Sequence, residues 1–268
     1  MSESSTRADT WIDVLRRAHD QLAEVVRGLD PARLATASAC SDWDVAQVLG
    51  HLGSGAEISM ATLEAALAGG DGPGPDVNQP IWDRWNGLDG PAKAAGFLEH
   101  GQALVARLEA LDGETRAGLR IPMSFLPDPI DVATFVRFRG SEVAFHGWDV
   151  RVTFDGSATL FGPAVELMID HSGDFLGYIG HADALGGRSA TIAVETTDPS
   201  HQFALVIGDA VGLTGGRPTD PDATLRLPAE AWLRLTYGRL PPDRTPAAVS
   251  VDGDGPSLDD LRRVFPGI

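Results

Sequence analysis

The sequence predicts a helical bundle followed by a small α+β domain. Apolar residues recur at steps of three and four through most of the first 180 residues, which is typical of amphipathic helices that bury one face. Short β-branched segments of strand length follow only after residue 190. A segment with a glycine pair, residues 181–189, separates the two patterns. We therefore place the first domain at residues 1–182 and the second at residues 188–268.

Five helical stretches are predicted in the first domain, at residues 8–29, 44–67, 91–112, 131–150 and 162–179. Asp44, followed three residues later by Gln47, forms a capping-box pattern at the start of the second stretch. Glycine, proline and tryptophan dominate residues 69–90, which we interpret as a loop. Helices joined partly by long loops favour an up-and-down bundle with one or more crossovers.

The second domain is predicted to alternate strands with short helices. The strands are expected at residues 190–197, 203–208, 223–228 and 247–253, and the helices at residues 229–239 and 257–265. The pattern indicates an α+β unit of about 80 residues.

Composition excludes several kinds of partner. The chain has 268 residues, with 21 Lys and Arg against 38 Asp and Glu, and a net charge of −17. This excess repels nucleic acid and anionic lipid, so neither is an expected partner. The only cysteine, Cys40, rules out a disulfide within the chain. The start of the sequence lacks a secretory pattern, and no apolar run reaches the roughly 18–20 residues of a membrane span. We expect a cytoplasmic protein.

The residues with the clearest chemistry are two histidines and a glutamate. Glu142 and His146 are four residues apart, so both emerge on the same face of the fourth helical stretch. His51 lies in the middle of the second stretch, and adjacent bundle helices can bring it to the same point. Three nitrogen and oxygen ligands with an open fourth position are typical of a catalytic zinc site, and the same ligands also suit another borderline divalent ion. The spacing alone also fits a surface Glu–His pair and a hydrogen-bonded core histidine.

Three segments resemble one known family, and together they extend over nearly the full chain. The segments are CSDWDVAQVLGHL at 40–52, EVAFHGWDV at 142–150 and DATLRLPAEAWLRLTYGR at 222–239. They resemble the signatures of the DinB-like, mycothiol-dependent maleylpyruvate isomerase family. The resemblance implies a DinB-like four-helix bundle followed by a small α+β domain. It also implies metal ligation by His51, Glu142 and His146, with zinc the expected ion.

The resemblance further implies a function. Members of the family use a low-molecular-weight thiol, mycothiol, and act on small molecules. We therefore expect an isomerase of the maleylpyruvate type or an S-transferase on a small electrophile. Its partners would be the substrate and the thiol, and the protein would be a monomer or a small homo-oligomer. Two alternatives remain open: a non-catalytic metal-binding or ligand-binding protein, and a metal-dependent hydrolase.

Two arginines are predicted as catalytic residues. Arg239 follows the helix at 229–239 in a Tyr-Gly-Arg motif, and could close over an anionic substrate or bind the thiol cofactor. A cation favoured at a helix C-terminus is the alternative. Arg84 lies between two tryptophans, which could line a pocket mouth or simply pack.

Two further residues near the metal motifs have more than one interpretation. Asp149 could orient a ligand histidine, or face solvent or a neighbouring helix. Cys40 is interpreted as a turn residue packed in the bundle rather than as a nucleophile, because no neighbouring motif supplies a base.

Overall fold

The computed structural model describes residues 3–267, which form two compact units. The first unit ends at Ala164 and the second begins at Val165. The first is a helical bundle and the second contains a five-stranded sheet, so the predicted fold class is confirmed. The sequence places the change of domain later, between residues 182 and 188, and that boundary stays a prediction.

Helices dominate the first unit. Its helices are α1 (Glu3–Arg27), α2 (Pro31–Leu34), α3 (Val45–Leu67), α4 (Pro75–Asn86), α5 (Gly90–Glu109), α6 (Gly113–Gly118) and α7 (Val132–Phe154). Two short strands, β1 (Arg120–Ile121) and β2 (Ile130–Asp131), form an antiparallel pair before α7. A further helix, α8 (Gly162–Met168), begins at the end of this unit.

The four long helices α1, α3, α5 and α7 form the bundle. Helix α1 packs against α7 and α3 packs against α5, while contacts between α1 and α5 and between α3 and α7 complete the ring. Apolar side chains from all four helices fill its interior, among them Leu15, Leu49, Phe97, Leu104 and Trp148. The periodic apolar stripes of the sequence therefore meet in one core.

The predicted capping box at the start of α3 is present. The Asp44 carboxylate accepts a hydrogen bond from the Gln47 amide at 2.7 Å, and the Gln47 side-chain oxygen accepts one from the Asp44 amide at 2.8 Å. These bonds satisfy two of the amides that every helix leaves without an intrahelical partner. They fix where α3 begins, and therefore which face of the helix His51 occupies two turns later.

The prediction of a loop over residues 69–90 is wrong, because α4 occupies Pro75–Asn86. Pro75 stands in the first turn, where a missing amide donor costs little. Trp85 is buried, and its indole ring packs on Gly53 of α3 and Gly96 of α5. This tertiary contact stabilises a helix that its glycine- and proline-rich surroundings do not predict.

Other boundaries differ where glycine and short polar residues interrupt a pattern. The predicted helix at 162–179 is divided into α8, a 3-10 turn at Ile169–His171 and α9 (Leu176–Ile179). Ser172 and Gly173 fall at the break, and both residue types favour turns over helix interiors. The strand β5 (Val211–Gly215) was not predicted, because it is a short edge strand that contains two glycines.

The second unit is built on a single sheet. Its other strands are β3 (Ala190–Thr197), β4 (Gln202–Ile207), β6 (Ala223–Pro228) and β7 (Ser250–Gly253), and its later helices are α10 (Ala229–Thr236) and α11 (Leu258–Val264). The strand order is β5-β4-β3-β6-β7, in which only β3 and β6 run parallel. Helix α10 follows β6 directly and packs on β3 and β6, with Trp232 fully buried. Within residues 3–267, no helix is long and apolar enough to cross a membrane.

Candidate metal centre

Two neighbouring helices of the bundle bring the three predicted ligands together. His51 comes from α3, and Glu142 and His146 come from successive turns of α7. One ligand atom from each residue lies within 4.8 Å of the other two. The spacing along α7 provides two of these atoms, and the packing of α3 against α7 provides the third.

The distances define a compact donor set. Glu142 Oε2 lies 2.8 Å from His51 Nε2 and 3.7 Å from His146 Nε2. The centroids of the two imidazole rings are 4.8 Å apart, in an edge-to-face arrangement. The same ring nitrogen, Nε2, therefore faces the glutamate from both histidines. Two nitrogens and one carboxylate oxygen in this arrangement can ligate one cation.

A buried carboxylate orients one of the histidines. Asp149 Oδ2 lies 2.9 Å from His146 Nδ1, one turn further along α7, and Asp149 has no exposed surface. An acceptor at this position holds a proton on Nδ1 and leaves the lone pair of Nε2 for a cation. The sequence left the role of Asp149 open; the structure places it on His146.

The glutamate is held in its ionised form. Partial burial acts to raise the pKa of Glu142, but the hydrogen bond with His51 and the charges of both histidines and Arg139 outweigh it and hold the pKa at about 2. The side chain is 48% exposed, so it faces the open side of the site. A carboxylate that is ionised at neutral pH meets the protonation requirement of a metal ligand.

Arg139, which the sequence analysis missed, is the buried cation beside this carboxylate. It lies one turn before Glu142 on α7 and donates a hydrogen bond to the Leu52 carbonyl of α3. Burial lowers the pKa of Arg139 to about 10, an effect that the charge of Glu142 opposes. The guanidinium therefore stays protonated at neutral pH. An arginine inside an otherwise apolar helix face was the available signal, because such a residue is rarely buried without a partner.

Trp43 covers one side of the histidine pair. Its ring centroid lies 5.2 Å from that of His51 and 6.0 Å from that of His146. The turn before it includes Asp42 with a φ of 66°, a left-handed conformation that aspartate tolerates better than most residues. The Ser38 amide donates to the Trp43 carbonyl at 2.9 Å and holds this turn in place.

A cavity of about 370 Å³ adjoins the cluster in the first unit. It is lined by Trp43, Gln47, Gly50, His51, Ser54, Trp82, Asn86 and Lys93. His51 belongs both to the donor set and to this lining, and Trp43, which packs on the histidine pair, also lines the cavity, so the cavity meets the donor set on the α3 side. A volume of this size is within the range that small-molecule sites occupy.

Cys40 also approaches the cluster. Its sulfur lies within 4.8 Å of one ligand atom each from His146 and Asp149, and the residue is half-buried. It stands in the turn before α3, as the sequence analysis interpreted it. Its thiol therefore faces the Asp149 side of His146.

Arg84 lies on α4 rather than in a loop and is engaged with a carboxylate. Its guanidinium donates to both carboxylate oxygens of Glu57 on α3, and Trp85 Nε1 donates to the same carboxylate at 2.8 Å. Among the described residues, the cavity lining includes the neighbouring Trp82 but not Arg84. The predicted catalytic role of Arg84 stays a prediction.

Arg239 lies in the second unit, just after α10. Gly238 takes a φ of 68°, and the Arg239 side chain donates to the Tyr237 carbonyl at 3.1 Å. The Tyr-Gly-Arg motif therefore forms the turn that ends α10. The predicted catalytic and thiol-binding role of Arg239 stays a prediction.

The fold and the cluster are typical of bundle proteins that build a metal site from side chains on facing helices. Comparison with family models gives a specific assignment. Residues 15–151 match the mycothiol maleylpyruvate isomerase N-terminal domain, and residues 180–260 match the C-terminal domain of the same family. The chain belongs to this family.

Solved structures agree with the assignment of fold. The chain is similar to the crystal structure of the mycothiol-dependent maleylpyruvate isomerase, with a TM-score of 0.64 and 13% sequence identity over 93% of this chain and 95% of that one. A histidine-to-alanine mutant of that isomerase gives the same values. A colibactin self-resistance protein in complex with double-stranded DNA covers 56% of this chain at a TM-score of 0.45 and 13% identity, too low to support any argument. A search of curated proteins finds no match.

Proposed function

We propose that this protein is a divalent-metal- and mycothiol-dependent enzyme, either an isomerase of the maleylpyruvate type or an S-transferase on a small electrophile. The observation that carries the proposal is the convergence of His51, Glu142 and His146 within 4.8 Å, beside a cavity of about 370 Å³. Membership of the family supports the use of a thiol.

The donor set fits a metal ion such as zinc. Two imidazole nitrogens and one carboxylate suit zinc or another borderline divalent ion, and three protein ligands leave one position open for chemistry. The hydrogen bond that Asp149 accepts from His146 Nδ1 fixes the tautomer of His146, and the low pKa of Glu142 keeps its carboxylate available. His51, Glu142 and His146 would therefore hold the ion.

A bound divalent ion would supply the positive charge that favours a thiolate, the nucleophilic form of a thiol. The residues of the chain hold and shape the site around it. Asp149 fixes the orientation of His146, and Arg139 stays buried beside Glu142. Trp43 and Trp82 provide apolar walls where a small electrophile can lie close to His51.

The first test is metal content, measured on the purified protein and on two variants. We expect about one zinc per chain in the wild type and a large loss in His51→Ala. His181→Ala is the matched control, because His181 is an exposed histidine in the second unit. If His51→Ala keeps the metal content of the wild type, the assignment of the site is wrong.

The second test addresses the thiol. We expect mycothiol to give a thiolate-to-metal absorption band when it is added to cobalt-substituted protein, and maleylpyruvate or another electrophile to react only when the thiol is present. Recovery of the free thiol with a rearranged substrate identifies an isomerase, and a stable thioether identifies an S-transferase. Turnover without thiol would favour a hydrolase, and thiol binding without turnover would favour a binding protein. Either outcome contradicts the proposal.

The catalytic roles of Arg239 and Arg84 and the thiol-binding role of Arg239 rest on the family resemblance and on sequence position. A cytoplasmic location and a monomeric or small homo-oligomeric state stay predictions.

A further inference from the structure

The chain contains 20 arginines but only one lysine, Lys93, and that lysine lines the cavity. It lies near the start of α5 and is half-buried. Apart from His51, the other lining residues are neutral and none is acidic. Lys93 is therefore the one fixed positive charge on the described wall of this cavity.

The backbone of α3 makes room for this lysine. A β-carbon placed on Gly50 would lie 3.1 Å from Lys93 Cδ and 3.4 Å from both Cγ and Cε. Gly50 immediately precedes His51, so the methylenes of Lys93 cross α3 next to a predicted metal ligand. A lysine that lays its stem along packed atoms in this way keeps its ammonium at the polar end, here the cavity.

The ammonium has no carboxylate partner among residues 3–267 within the 4.0 Å that defines an ion pair. Arginines nearby on the bundle behave differently: Arg84 pairs with Glu57, and Arg107 pairs with Glu64. The chain has 38 acidic residues, so partners are abundant in the sequence. The structure instead leaves this ammonium, which belongs to a residue of the cavity lining, without a carboxylate partner in the described part of the chain.

We propose that Lys93 binds an anionic group, a carboxylate, of the molecule that occupies the cavity. Trp43 and Trp82 would pack on the flat apolar part of the same molecule, and Gln47 and Asn86 supply hydrogen-bonding groups. A net charge of −17 repels anions from the protein as a whole, so binding one requires a local positive charge of this kind. This inference rests on the proposed function in that it takes the cavity to be the substrate site.

The test compares binding of a dicarboxylate with that of its neutral ester. Full-length protein of matched metal content is titrated calorimetrically with maleate and with dimethyl maleate. We expect Lys93→Met, which keeps the stem but removes the charge, to weaken maleate binding about 10- to 100-fold and to leave the ester unchanged. Lys93→Arg should restore most of the affinity. Equal maleate affinity in Lys93→Met and the wild type would overturn the proposal.

The single lysine also provides a direct probe. Reductive methylation with ¹³C-formaldehyde keeps the charge of Lys93 and gives one ε-dimethylamine NMR signal, distinct from that of the terminal amine. Maleate should shift this signal and dimethyl maleate should not. Arg107→Met is the control variant, since Arg107 lies on the same helix but pairs with Glu64. A maleate titration that leaves the Lys93 signal unmoved contradicts the proposal.

The anionic group could belong to the electrophile or to the thiol, and a second pair of probes distinguishes them. N-acetylcysteine and its methyl ester are titrated in parallel with maleate and dimethyl maleate. If Lys93→Met loses the preference for maleate over its ester, the anionic group belongs to the electrophile. If it loses the preference for N-acetylcysteine over its ester, the group belongs to the thiol. Metal content and thiol-dependent turnover of the wild type are recorded in the same preparations. Their absence contradicts the proposed function, whereas selectivity that persists in Lys93→Met contradicts only the assignment of Lys93.

Discussion

The bundle contains two glutamates that each contact several nitrogen-bearing side chains, and the contacts differ in kind. Glu57 accepts hydrogen bonds from Arg84 and Trp85, with His100 Nε2 at 4.0 Å. Glu142 contacts the Nε2 atoms of two histidines. Guanidinium and indole groups only donate hydrogen bonds, whereas a neutral imidazole nitrogen can also bind a metal.

The comparison separates a carboxylate that joins two helices from one that is proposed to bind a metal. The hydrogen-bond donors to Glu57 both come from α4, so this cluster attaches α4 to α3. Around Glu142, by contrast, one nitrogen atom each from His51 and His146 lies within 4.8 Å of the carboxylate, and the side chain is half-exposed. A matched substitution at the two glutamates should therefore give opposite results.

The largest effect is expected for metal binding in Glu142→Gln. Loss of a charged ligand should lower zinc affinity by more than the roughly 10- to 100-fold typical of residues that only support a ligand. Competition with a chelator of known affinity measures this change. Glu57→Gln is the control and should bind zinc as the wild type does. Equal zinc affinity in the two variants would remove the distinction between the glutamates.

The next effect is expected for Asp149→Asn. The amide keeps the shape of the side chain but is a weaker acceptor for His146 Nδ1, so zinc affinity should fall about 10- to 100-fold. The same chelator competition applies. Asp155→Asn, at an exposed position just after α7, is the control and should leave the zinc affinity unchanged. A thermal melt of the metal-free proteins separates this effect from unfolding, and an unchanged zinc affinity would mean that Asp149 only packs.

A smaller effect, on stability, is expected for Glu57→Gln. The substitution weakens the hydrogen bonds from Trp85 and Arg84, and should lower the free energy of unfolding by about 1–2 kcal/mol. Denaturant unfolding followed by tryptophan fluorescence measures the change. A stability equal to that of the wild type would show that α4 does not depend on this carboxylate.

The smallest effect is expected for the pH dependence of the stability that Glu57 provides. Burial acts to raise the pKa of Glu57, but hydrogen bonds from Trp85 and Arg84 outweigh it and hold the pKa below the ordinary 4.5. Because the folded pKa is lowered, the carboxylate stabilises the fold above pH 4.5, and this contribution is lost as the pH falls further. The stability difference between wild type and Glu57→Gln should therefore shrink in acid. A difference that grows in acid would contradict this assignment.

Much of the candidate site follows from local rules. The spacing of Glu142 and His146 places both on one face of a helix, and the capping box fixes the start of the helix that carries His51. Periodicity also predicts the long helices. Strand length with β-branched content predicts β3, and alternation predicts β6, and the bounds of both strands are as predicted. These features depend on residues close to one another in the chain.

The features that the sequence did not predict depend on contacts between distant segments. Helix α4 exists because Trp85 finds a place between two other helices, and its own proline and glycine neighbours argue against it. The place of Lys93 in the cavity wall depends on the packing of α5 against α3, which puts its side chain beside Gly50. Arg139 is buried in α7 because it donates a hydrogen bond to the Leu52 carbonyl of α3, a partner that the local sequence does not reveal.

The close packing of Trp85 has a consequence for how the shape of the cavity could change. Gly53 and Gly96 lie against its indole ring so closely that a β-carbon at either position would overlap it. Any larger residue there would push α4 outward, and with it Trp82 and Asn86 in the cavity wall. One methyl group added behind the wall could thus alter which molecules fit, without touching a residue that contacts them. Mutational drift at two glycines would then provide a route to new substrates.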